Sequence, residues 1–191
     1  MDEASVPGPL HHAFLSLGSN IDPETNLPAA IRELSLYGRV RRVSRVWETA
    51  PLGLADQPNF LNAAVWLETP LQAEELREKA ISRIEAKLGR VRTGNRNAPR
   101  TIDIDIMLFD HDRLRVGRRR IPDPEVLERP FIAIALAEIA PDLVHPETGE
   151  TLRQIAERFD PAAAGMRLRE DVCLSGAARG EPDAACGHPG G

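Results

Sequence analysis

Residues 102–109 read IDIDIMLF. Strict alternation predicts a strand: Ile102, Ile104, Ile106 and Leu108 point one way, Asp103 and Asp105 the other. Working outward, residues 90–99 (RVRTGNRNAP) form a polar loop. Before it, Leu76, Ala80, Ile84 and Leu88 line one helix face that ends at Gly89. Residues 60–68 read as a strand. Residues 49–59 (TAPLGLADQPN) carry too much Pro and Gly for helix or strand. Residues 40–48 form another strand, with Val43 and Val46 among polar partners. Leu27, Ala30, Ile31 and Leu34 mark a first helix, with Gly38 as its stop, and residues 12–17 (HAFLSL) a first strand. The order is β-α-β-β-α-β, an α+β, ferredoxin-like arrangement: an antiparallel sheet with two helices on one face. Short helices are expected at residues 130–139 and 152–159.

The chain has 191 residues, 24 basic and 29 acidic, for a formal net charge of -5. That balance argues against a general nucleic-acid coat. Only Lys79 and Lys87 are lysines; the other 22 basic residues are arginines, whose planar fork suits phosphate. No apolar run approaches the ~20 residues needed to cross a bilayer, and residues 1–10 lack the pattern of a secretory leader. Cys173 and Cys186 both lie near the C-terminus at no zinc-site spacing, so a reducing, cytoplasmic setting without a core disulfide is expected. One domain is predicted over residues 11–160. Residues 1–10 are expected to be flexible and residues 161–191 a disordered tail.

Two carboxylates at i and i+2 on one strand face stand roughly 6–7 Å apart. They read either as a solvated face or as a site for a hard divalent cation such as Mg²⁺. The preceding loop places Arg90, Arg92, Arg96 and Arg100 within eleven residues, with no acid among them. Guanidinium groups for phosphate oxygens beside carboxylates for a cation are what a polyphosphate with its metal requires. Neither a Walker A motif nor a G-x-G-x-x-G loop occurs.

At this point the residues resemble a known family. Arg96-Asn97-Ala98-Pro99-Arg100-Thr101-Ile102-Asp103-Ile104-Asp105-Ile106-Met107 is similar to the signature of the 6-hydroxymethyl-7,8-dihydropterin pyrophosphokinases. Residues 14–20 (FLSLGSN), 49–53 (TAPLG), 56–63 (DQPNFLNA), 121–124 (IPDP), 128–131 (ERPF) and 138–141 (EIAP) match further blocks in the family's order. The resemblance implies transfer of a diphosphate from ATP to the hydroxymethyl group of the reduced pterin, releasing AMP, in folate biosynthesis. It implies two Mg²⁺ ions shared by Asp103, Asp105 and the ATP phosphates. Arg90 and Arg100 match arginines that hold the transferring phosphates. Arg92, Ile106, Arg118, Asp123 and Glu85 match positions on the nucleotide side, though Glu85 reads more readily as part of a solvated helix face. Phe60 and Phe131 match residues that sandwich the pterin, where core packing is the alternative. Asn62 matches the residue that pairs with the ring edge, and Thr49 and Leu52 match backbone contacts to it. A monomer acting on ATP and the pterin is expected, with no nucleic acid or membrane partner.

Two positions depart from the family pattern. Asp123 stands where the family commonly has a phosphate-contacting His, and Asn97 where it often has an aromatic residue. A carboxylate at 123 repels phosphate unless a metal or an arginine intervenes; Arg118, Arg119 and Arg120 lie close by. Asp123 is the sole support for an alternative, a non-catalytic relative that only binds pterin or nucleotide. A ferredoxin-like RNA-binding module would need exposed aromatics on the strand that bears Asp103 and Asp105.

Overall fold

An Asp-Ile strand can bury its isoleucines only if a partner strand and a helical layer meet them. In the computed structural model, which describes residues 8–51, 53, 56–91 and 98–174, β5 (Asp103–Phe109) is an edge strand antiparallel to β1 (His11–Ser19). Leu17 lies opposite Ile104 and Leu15 opposite Ile106. The register then shifts, and Phe14 opposes Leu108. The extra residue, Met107, is a β-bulge, which reverses the facing of the residues after it. Leu108 therefore does not share a face with Ile106 as simple alternation predicts. Ile102, Ile104 and Ile106 pack with Leu15, Leu17 and Ile31, whereas Leu108 packs with Phe14, Ala64 and Leu136.

Between these strands come α1 (Pro23–Leu34), β2 (Arg39–Val43), β3 (Trp47–Thr49) and β4 (Phe60–Thr69). A continuous helical rod comes next: α2 (Ala73–Glu75), a π-helical stretch Leu76–Ile81, and α3 (Ser82–Lys87), ending before Gly89 as expected. After β5 come the hairpin β6 (Leu114–Val116) and β7 (Arg119–Ile121), then α4 (Glu125–Glu128), α5 (Pro130–Ile139), α6 (Leu152–Ala156) and β8 (Arg167–Leu168). The sheet order is β5-β1-β4-β3-β8, with β2 also paired to β4. This is the predicted ferredoxin-like order, with β2 and β3 sharing the place of one expected strand. Ser44 makes the break: its N–H donates to Ala64 O at 2.9 Å, and its Oγ accepts from Ala64 N at 2.8 Å.

Both sheet faces are covered, not one. Leu27, Ile31, Ala80 and Ile84 from α1 and the rod cover the face bearing Ala63, Val65 and Leu67. Helices α5 and α6 cover the face bearing Phe14 and Ala64. A central strand reading FLNAAVWLET has apolar residues on both sides and demands both layers. The expected boundary at residue 160 is also passed. Strand β8 pairs with β3, Arg169 N donates to Val46 O at 2.9 Å, and Leu174 is buried. The Arg169 guanidinium reaches Glu48 at 3.1 Å and Glu24 at 2.7 Å. Cys173, outside both core clusters, is disulfide-bonded. Among the described residues no helix is long and apolar enough to cross a membrane.

Gly38 serves a different purpose from helix termination, since α1 ends at Leu34 with Ser35 as its C-cap. A Cβ at Gly38 would collide with the Glu68 carbonyl oxygen and stand 3.0 Å from Thr69 Cα. The chain enters the sheet there with no space for a side chain. Gly38→Ala is expected to cost about 3 kcal/mol, at the upper end for overpacking, measured by urea unfolding.

His145 is buried, and its Nδ1 accepts from the backbone N–H groups of Glu147 and Thr148 at 3.3 and 3.4 Å. Burial pushes its pKa below the usual imidazole value. The folded state thus prefers neutral His145, and the unfolded chain takes up the proton first. Stability is full above the ordinary His pKa of about 6.5 and is lost as pH falls toward the lowered folded value. Melting curves from pH 7.5 to 5 are expected to fall more steeply for the wild type than for His145→Asn, whose amide oxygen replaces Nδ1.

Candidate active site

Asp103 and Asp105 face the α5 side of the sheet at its open end. Pairing places Asp103, Gly18, Asn62 and Trp47 in one row across four strands, with Asp105, Ser16 and Ala64 in the next. Gly18 keeps the first row low: a Cβ there would stand 3.2 Å from Asn62 Oδ1. Above these rows lies a cleft of about 1200 Å³.

Arginines surround the carboxylates. Arg90 Nη1 lies 3.0 Å from Asp103 Oδ1 and donates to Ile102 O at 2.7 Å. Arg100 Nη1 binds Asp103 Oδ2, and its guanidinium lies over the Phe60 ring at 5.4 Å. Arg119 spans two acids: Nη2 is 3.0 Å from Asp105 Oδ2 and Nη1 is 3.2 Å from Asp123 Oδ2. Burial, then the Asp103 carboxylate, push Asp105 up to about 7, against the pull of Arg119 and Arg77. Burial acts to lower Arg119, but Asp105 and then Asp123 outweigh it and hold it above the usual arginine range.

This donor set suits a hard cation. Asp103 and Asp105 offer carboxylate oxygens at one mouth, where guanidinium charge already gathers. Among the described residues no group of three or more His, Cys, Asp or Glu could hold an ion. Two protein carboxylates, with water and phosphate completing the shell, is the usual Mg²⁺ arrangement.

The remaining predicted residues divide clearly. Thr49, Phe60, Asn62, Arg90, Arg100, Asp103, Asp105, Ile106, Arg118, Asp123 and Phe131 all line this one cleft, Ile106 while keeping its side chain in the core. Asn62 Nδ2 donates to Thr49 Oγ1 at 3.0 Å and Trp47 O at 3.2 Å. Arg92, Leu52 and Asn97 lie outside the described residues. Glu85 is not part of the cleft lining, and it is not on a solvated face: it is 2% exposed, and its Oε1 accepts from Ile104 N at 3.1 Å. It caps the outer edge of β5, which has no further strand beside it among the described residues.

Three residues escaped the sequence reading, and a fourth, Arg119, enters it only as one of three arginines near Asp123. Asn20, 3% exposed, accepts from Arg100 N at 2.8 Å and donates to Gln57 Oε1 at 3.0 Å and Pro58 O at 3.1 Å, tying three loops together. Arg119, Arg129 and Arg77 line the cleft, and Arg77 Nη1 is buried without a hydrogen-bond partner among the described residues. The triplet Arg118-Arg119-Arg120 was visible. Which member faces the acids was not, because β7 spans only three residues.

Residues 14–141 match the family model described as 7,8-dihydro-6-hydroxymethylpterin-pyrophosphokinase (HPPK). The chain is 38% identical over 170 residues to a 2-amino-4-hydroxy-6-hydroxymethyldihydropteridine pyrophosphokinase from Synechocystis, covering 85% of this chain and 86% of that protein. It is 43% identical over 153 residues to the protein of the same name from Methylorubrum extorquens (78% and 94% covered). Against that of Bacillus subtilis it is 42% identical over 157 residues (81% and 93% covered). Among solved structures, the wild-type HPPK-DHPS of Plasmodium falciparum superposes with a TM-score of 0.64 at 15% identity, which speaks to the fold alone; the match covers 81% of this chain and 45% of that longer one. The matched segment runs from β1 through α5 and takes in both aspartates, the arginines around them and Asn62, so the chain belongs to the 7,8-dihydro-6-hydroxymethylpterin-pyrophosphokinase family.

Proposed function

We propose that this chain transfers a diphosphate group from ATP to the hydroxymethyl group of 6-hydroxymethyl-7,8-dihydropterin, a step of folate synthesis. The observation that carries this reading is the convergence of Arg90, Arg100 and Arg119 on Asp103 and Asp105, beside a cleft wall bearing Phe60, Asn62 and Phe131. The pterin hydroxyl oxygen bonds to the β-phosphorus. The bond from that phosphorus to the oxygen shared with the α-phosphate breaks, AMP leaves with that oxygen, and the hydroxyl proton passes to solvent.

In this reading Asp103 and Asp105 hold Mg²⁺, two ions together with the phosphates. When bound, it supplies positive charge to the phosphate oxygens. Arg90 and Arg100 turn their donors from Asp103 toward the transferring phosphates, where charge grows in the transition state. Phe60 and Phe131 offer flat apolar faces to the pterin ring. Asn62 keeps its amide N–H₂ on Trp47 and Thr49, and this anchors its carbonyl for a ring N–H donor. The rate then rests on positioning and charge, with little acid–base chemistry asked of the protein.

Chromatographic detection of AMP tests the reading. Release from ATP is expected only when both Mg²⁺ and the hydroxymethyl dihydropterin are present; no AMP under those conditions would overturn it. Asp103→Ala and Asp105→Ala are each expected to lower turnover at least ~10²-fold, on the scale of electrostatic catalytic groups, and wild-type turnover in both would remove the metal assignment. Asn62→Ala is expected to raise the pterin KM about tenfold, the worth of one unmet buried hydrogen bond, and to leave the ATP KM unchanged.

A further inference from the structure

Asp123 is a carboxylate at the edge of a proposed phosphate site, and it is firmly built in. It is 5% exposed. Its backbone N–H donates to Met107 O at 2.8 Å, which fastens it to the bulge of β5. Its Oδ1 accepts from Glu125 N at 3.0 Å, at the start of α4. Its Oδ2 accepts from Arg119 Nη1 at 3.2 Å. Arg119 is the opposite kind of residue: its side chain is 44% exposed, and among the described residues its head is held by the two carboxylates.

The two anchors differ in kind. Asp105 is a proposed cation ligand, so its oxygens are wanted by another positive charge. Asp123 has no such competitor. A cation on Asp105 displaces Arg119 Nη2 from a contact of 3.0 Å and leaves Nη1 on Asp123. The freed donor group then stands beside that cation and whatever phosphate oxygen the cation holds. The negative charge of Asp123 is spent on Arg119 and does not confront phosphate.

We infer that Asp123 is a positioning residue that holds Arg119 for the nucleotide phosphates, and that Arg119 exchanges Asp105 for phosphate oxygen when a divalent cation arrives. This rests on the proposed diphosphate transfer from ATP. It makes Arg119 the phosphate-contacting cation of the 118–123 segment, in the place where a repulsive carboxylate would otherwise stand.

The test uses the full chain. Mn²⁺ titration without nucleotide, read by electron paramagnetic resonance of free Mn²⁺, is expected to show three- to tenfold tighter binding in Arg119→Ala, because the competing guanidinium is gone. Calorimetry with α,β-methylene-ATP and Mg²⁺, in which the breaking bond is blocked, is expected to show about tenfold weaker binding in Arg119→Ala and in Asp123→Asn, the scale of one charge-assisted contact. Asp123→Asn keeps an oxygen for Glu125 N. The double variant is expected to bind within twofold of Arg119→Ala, and Arg119→Lys to recover part of the loss. In turnover the ATP KM rises and the pterin KM does not, a split that general loosening would not give. Unchanged or tighter nucleotide binding in Asp123→Asn, or losses that multiply in the double variant, would overturn the inference. So would unchanged or weaker Mn²⁺ binding in Arg119→Ala, whatever the fold stability of the Asp123 variant. Absence of AMP release by the wild type would instead count against the proposed diphosphate transfer.

Discussion

Two carboxylates on one strand face, half-buried and one residue apart, are the constraint around which this end of the molecule is organised. Like charges in such a place repel unless positive charge is brought to them. The chain answers with arginines from three segments: Arg90 after the helical rod, Arg100 before β5, and Arg119 on the hairpin beyond it. Each guanidinium is held by Asp103 or Asp105. The site is therefore charged and compensated before any substrate arrives. The guanidinium groups are already at the place where phosphate would need them.

The rest of the fold keeps that arrangement open on one side and rigid on the other. Ile102, Ile104 and Ile106 fix β5 to the layer formed by α1 and the helical rod. Glu85 closes the outer edge of β5, and Asn20 ties the Arg100 segment to the turn after β1. The bulge at Met107 lets the same strand leave the cleft and enter the second core under α5. Gly18 and Asn62 form a low floor between the aspartates and the apolar wall of the cleft. Rigid strands thus carry the acids, and segments with exposed side chains carry part of the positive charge.

Much of this was legible because it is local. The helix at Leu27–Ala30–Ile31–Leu34, the strand face of Asp103 and Asp105, and the start of α5 at Pro130 come from periodicity and punctuation within a few residues. Eleven of the expected site residues meet in one cleft because motif and strand phase are both local properties. What escaped was non-local. Leu108 changes face because β1 imposes a bulge on β5. Gly38 is required by the Glu68 backbone, thirty residues away. Glu85 looks like one more charge on a helix surface until the unpaired N–H of Ile104 meets it. Residues 161–174 look like a tail by composition, yet β3 offers them an edge to pair with.

By itself, then, the sequence determined the order of the core elements, the acidic pair and its isoleucine backing, and the family, since each resides in spacing along the chain. Only the tertiary structure decided which arginine answers which aspartate. In the run 118–120 no periodicity distinguishes Arg119 from its neighbours. Its role comes from a three-residue strand packed so that one guanidinium reaches both Asp105 and Asp123. Coulomb energy falls off with distance through a surrounding dielectric, and those distances exist only once the chain has folded.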